Sequence, residues 1–172
     1  MKPNGHSITK LILDGAQASL AKDLGKIKDC LDLLTVEQIW WRPNAASNSA
    51  GNLCLHLCGN MRQWIISGLG GAKDVRVRER EFSERGPISR RAVVERLDAT
   101  VAEASGVVRR LSPGALARDY VIQGFRVTGY GALAQVVQHF SHHTGQIIYL
   151  TKLKRGRDLG LTRLPAVGKM RG

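Results

Sequence analysis

A chain of 172 residues is about the size of one domain and long enough to bury a sizeable core. Its hydrophobic fraction of 43% is ordinary for a globular protein, and Arg, Gln or His breaks every apolar run before membrane-spanning length, which excludes a transmembrane helix and any membrane partner. The formal charge of +12 invites a nucleic-acid partner, but the cations gather at 73–91 and 152–171 with few aromatics among them to stack on bases, so nucleic acid is not the expected partner.

From Ile8 to Leu34 apolar residues recur every three or four positions, the stripe of a long amphipathic helix. Thr35 can cap a short extra turn, which the loop WWRPNAASNSAGN ends. In the second long helix Leu53, His56, Leu57, Asn60, Met61 and Trp64 share a face, so His56 stands on an inward-looking stripe. Gly68 to Pro87 has no sustained helical spacing and reads as a long exposed crossover that could lie over a site. Ser89 caps a third helix that Ser112-Pro113-Gly114 stops, and Tyr120, Ile122 and Val127 fit a short hairpin around Gly124. The fourth helix runs from about Tyr130 to Lys154. These elements predict an all-α four-helix bundle over residues 1–155, followed by a basic, flexible tail over 156–172.

The start MKPNGHSITK lacks the apolar core and cleavage site of a secretory signal. Cys30, Cys54 and Cys58 are an odd count too sparse for a disulfide framework, which suits a reducing compartment and a cytoplasmic location. Cys54 and Cys58 lie one turn apart, but no further Cys or His at ligand spacing joins them in a thiolate site.

Chemistry concentrates in QHFSHHTGQ, residues 138–146. His139 and His143 are four apart, so on a helix both imidazoles project from one face and can share an ion, while His142 turns away to the surface or to a supporting role. Two imidazoles under-coordinate a metal, and of the remaining histidines only His56 lies on a buried stripe. Three histidines would leave a coordination position open, as in catalytic sites. Spacing alone leaves open that His139 and His143 merely pack or hydrogen-bond in the core. Asn60 and Gln146 are the candidate orienting residues, and no Glu or Asp within a turn of either His helix position offers a general base.

The segments NLCLHLCGN, YVIQGFRV and HFSHHTGQIIYLTK resemble the DinB-like superfamily of metal-binding helical bundles, across roughly residues 8–155. The resemblance implies up-down-down-up connectivity, a homodimer, and a divalent ion, commonly zinc or nickel, on His56, His139 and His143. In some branches it implies transfer reactions using low-molecular-weight thiols, and this chain is similar to branches without an assigned activity. Two function classes follow. One is a metal-dependent enzyme acting on a small thiol or electrophile, with a hydrolase less favoured; the other is a noncatalytic metal or small-ligand binder, stress-related, with an acidic or nucleic-acid partner.

Overall fold

Hydroxyl side chains set nearly every helix start in the computed structural model, which describes residues 7–161. Ser7 opens α1 (Ile8–Asp32), Thr35 opens α2 (Val36–Trp40) and Ser49 opens α3 (Ala50–Met61), each accepting the backbone N–H three residues on. The helix of α3 continues with a widened, π-helical repeat over Arg62–Leu69. A short α4 (Arg78–Ser83) follows, and Ser89 then caps α5 (Arg90–Val108). Ser112 ends the loop after α5 and itself caps α6 (Pro113–Ala117), so the sequence that stops one helix also starts another. Strands β1 (Asp119–Ile122) and β2 (Phe125–Thr128) pair antiparallel as the expected hairpin. Its two-residue turn puts Gln123 and Gly124 at φ of 54° and 81°, the combination that suits the twist of paired strands. Thr128 caps α7 (Gly129–Arg155), and left-handed Gly156 closes it.

The four long helices pack as a ring in which α1 neighbours α7 and α5, and α3 neighbours the same two. Cross-helix ion pairs give their directions. Lys28 meets Asp98 while Asp32 meets Arg90, so α1 and α5 run antiparallel; Arg62 reaches Glu103 while Cys58, one turn earlier, lies beside Thr100, so α3 and α5 run parallel. Trp64 reaches Gln123 just before α7 while Lys154 near the end of α7 lies over the Trp41 ring ahead of α3, so α3 and α7 run antiparallel and the connectivity is the up-down-down-up order that the resemblance implied. Leu20, Ile27, Leu31, Leu57, Leu97 and Phe140 are almost fully buried where the stripes meet. No helix among the described residues is long and apolar enough to cross a membrane.

Two parallel helices in sequence need a return segment, and here it differs from the exposed crossover that the sequence predicts. Part of it is helical and inward-facing: Glu81 in α4 is 8% exposed, and the Arg76 side chain only 4%. Asn52 accounts for the docking. Its Oδ1 accepts from the Ser49 hydroxyl and Arg42, while its Nδ2 donates to the carbonyls of Glu81 and Glu84, both at 2.9 Å. Arg42 also donates to the Phe82 carbonyl, and the Trp40 indole to that of Ile88. Both polar atoms of the buried Asn52 amide are thereby paired. Asn52→Ala strips both carbonyls of their donor, and a urea titration is expected to show a loss of about 1–3 kcal/mol, with faster amide exchange around Glu81.

At the other end, Leu159 and Leu161 pack against the core and Lys152 pairs with Asp158. The rest of the expected basic tail lies outside the described residues.

Candidate metal centre

The α3 stripe turns His56 inward at 5% exposure, and the α7 face carries half-buried His139 and His143 toward it. The three sequence-predicted histidines meet: one ring nitrogen from each lies within 4.8 Å of the others. His56 Nε2 and His139 Nε2 are 2.9 Å apart, and the His139 and His143 ring centroids 4.4 Å. This juxtaposition is tertiary, since 83 residues separate His56 from His139.

The outer nitrogens fix which atoms face inward. His56 Nδ1 lies 2.9 Å from Glu81 Oε2 and 3.2 Å from Arg76 Nη2. The ionised Glu81 oxygen can only accept, so His56 Nδ1 carries the hydrogen and donates to it, which leaves Nε2 as the nitrogen that faces the other rings. At His143, Nδ1 donates to Gln146 Oε1 at 2.7 Å, again leaving Nε2 free. Gln146 also reaches His142 Nε2 at 3.3 Å, which places exposed His142 in the outer layer and not in the cluster. Gln146 thus orients a ligand candidate as its spacing suggests. Asn60 does not: it is buried one turn along α3 with no hydrogen bond to any of the three histidines.

Glu81 is the residue that sequence reasoning missed. It sits 25 positions from His56, in a segment read as solvated, and no local spacing connects the two. Arg76 clamps its other face, Nε donating to Oε1 at 2.7 Å, while Arg76 Nη1 donates to Gln63 Oε1 at 2.8 Å. Burial would raise the Glu81 carboxyl, but the Arg76 guanidinium and His56 N–H outweigh it and hold it below the usual carboxylate range. The carboxylate is therefore charged, bonded at both oxygens, and unlike the exposed pairs of α1 and α5 it is expensive to break. Gly59 makes room for it: a Cβ there would clash with Glu81 Oε1 and lie 2.7 Å from its Cδ.

Burial pushes His139 down to about 4, helped by His143, His56 and Arg76 nearby; burial also lowers His143, against the Gln146 hydrogen bond. Both rings are neutral at pH 7, the form that ligates metal. For the metal-free protein the sign is fixed. The unfolded chain takes up protons at the ordinary histidine value of 6.5 while folded His139 does not until about 4, so stability falls as pH drops through that window and is unaffected above it. Urea midpoints should be level from pH 8 to 7 and fall toward pH 5, with a shallower fall in His139→Asn.

The donor set fits a transition ion. Nitrogens on one tetrahedral ion at about 2.1 Å lie roughly 3.4 Å apart, between the 2.9 Å that separates His56 Nε2 from His139 Nε2 and the 4.8 Å that bounds all three. Two of the three imidazoles carry the outer hydrogen bond, one of them to a carboxylate, that fixes ring orientation in metal sites. No cysteine joins the cluster, which among the described residues consists of the three histidines, and burial raises the Cys54 thiol and brings Cys58 up to about 11.

The same bundle recurs in solved structures of low sequence identity. A conserved protein from Enterococcus faecalis superposes with a TM-score of 0.74 at 16% identity, over 89% of this chain and 100% of that one. A DinB-like protein from Bacillus cereus gives 0.65 at 17% identity, over 88% and 97%. YfiT from Bacillus subtilis, described as a probable metal-dependent hydrolase with an unusual four-helix bundle topology, gives 0.71 at 18% identity, over 92% and 95%. At such identities the likeness is one of fold. No curated protein matches the sequence. The chain belongs to the DUF1572 family, proteins of unknown function, whose model spans residues 7–166.

Proposed function

We propose that this protein is a metal-dependent enzyme in which His56, His139 and His143 hold a divalent transition ion, zinc or nickel, and that it conjugates or transfers a low-molecular-weight thiol. The observation that carries the reading is the convergence of three imidazoles whose outer nitrogens, at His56 and His143, are committed elsewhere. Such an ion supplies Lewis acidity that lowers a thiol's pKa or polarises a leaving group. Among the described residues no fourth His, Cys, Asp or Glu joins the three, which supports a position left for substrate. Half-buried His139 and His143 give that position access to solvent.

Glu81 bears on the reaction type. Hydrolysis benefits from a general base, and the carboxylate beside the cluster has both oxygens engaged, so it orients His56 instead of moving a proton. A thiol needs only to be bound and ionised. Protein purified without a histidine tag should carry about one metal per chain and conjugate small thiols to electrophiles, with activity lost to chelator and regained with metal. Metal-dependent ester or amide hydrolysis without conjugation would replace this reading with the one suggested by the likeness to YfiT, and metal binding without either reaction would leave a noncatalytic binder.

A further inference from the structure

Behind the histidines lies a cavity of about 380 Å³, bounded by α3, the crossover and the flank of α5. Its inner wall is the Arg76–Glu81 pair, so it is separated from the three imidazoles by one layer of side chains. Its charged groups are unevenly matched. Of its three carboxylates, Glu81 is ion-paired to Arg76 and accepts from His56, Asp74 accepts from Gln63 and the Arg76 backbone, and Glu84 accepts through Oε1 from the backbone N–H groups of Arg85 and Gly86. Among its cations, Arg76 is held by Glu81 and Arg62 by Glu103. Lys73, Arg80 and Arg96 make no ion pair among the described residues.

The Ser67 hydroxyl in the wall adds a neutral donor. Five cations thus line the cavity against three carboxylates, and three of the five are without an ion pair among the described residues, while Leu55, Val77 and Ile88 supply apolar wall. Guanidinium groups match carboxylate and phosphate oxygens in a forked geometry, and concave walls strengthen their field. The volume is at the lower end of small-molecule sites and exceeds the needs of a single inorganic anion.

We infer that this cavity binds a small organic dianion, two carboxylate or phosphate groups on a short stem, held by Lys73, Arg80 and Arg96 in a site separate from the histidine cluster. The assignment does not depend on the proposed reaction.

Calorimetric titration of metal-free protein, at ionic strength matched with sodium chloride, tests it using glutarate and pyrophosphate as probes. Saturable one-to-one binding of either is expected; glutarate alone assigns carboxylates, pyrophosphate alone phosphates, and both the shared chemistry. Arg80→Ala with Arg96→Ala should weaken binding at least tenfold, as should Lys73→Glu, whose exposed position leaves the fold intact. Arg91→Ala, at an 87% exposed side chain paired with Glu95, should change nothing. Binding should also persist in His139→Ala. No saturable heat, equal affinity in the cavity variants, or loss in His139→Ala would overturn the proposal.

Discussion

His139→Ala and His56→Gln should each release the bound metal, lowering affinity at least about a hundredfold, since losing only an outer partner of a metal-ligating histidine costs roughly ten- to a hundredfold. His56 is the more discriminating test, because it lies on a different helix and is brought to the others only by packing of α3 on α7. The consequence for stability follows from linkage. An ion present at about a hundred times its dissociation constant stabilises the folded state by about 2.7 kcal/mol, so chelator should lower the melting temperature of the parent and leave His56→Gln nearly unmoved. Full metal retention by His56→Gln, measured by elemental analysis after dialysis, would return His56 to a packing role.

Gly59→Ala is expected to damage both the fold and the metal site. In an ordinary helix interior the change stabilises by up to about 1 kcal/mol, and Gly25→Ala, in α1 with nothing within 4 Å of its added methyl, should do so. At Gly59 the methyl displaces the Glu81 carboxylate, and it also lies 3.0 Å from Arg76 Nε. Arg76 then remains as a buried charge without its partner, a loss on the order of 3–5 kcal/mol, and His56 Nδ1 loses its acceptor. The methyl should therefore lower the urea midpoint and weaken metal binding about tenfold or more, although it touches no ligand. Metal affinity equal to the parent in a folded Gly59→Ala protein would show that Glu81 does not orient His56.

Sequence alone went a long way here because helix periodicity and capping are local. The stripe from Ile8 to Leu34, the hydroxyls at Thr35 and Ser89 and the turn at Gly124 each act within a few residues, and each appears where its spacing predicts. The same locality made His139 and His143 legible as a pair on one face. His56 was legible at one remove, through burial on its own helix, and the resemblance to DinB-like proteins added the expectation that the three meet. Gln146 lies within one turn of His143 and hydrogen-bonds it, whereas Asn60, with the same kind of spacing from His56, bonds none of the three histidines.

Tertiary structure decided the rest. Glu81 and Arg76 sit in a charged stretch whose composition matches a solvated loop, and nothing within a turn of either marks them as inward-facing. Their burial depends on three distant features: Asn52 holding the carbonyls of α4, Gly59 leaving space for a carboxylate, and His56 presenting an N–H to it. A charged residue enters a protein interior only when its partners are already arranged there, and those partners come from separate parts of the chain. Pattern along the sequence reports which residues prefer to leave water. Which charges are compensated well enough to follow them inside is settled only when the helices pack.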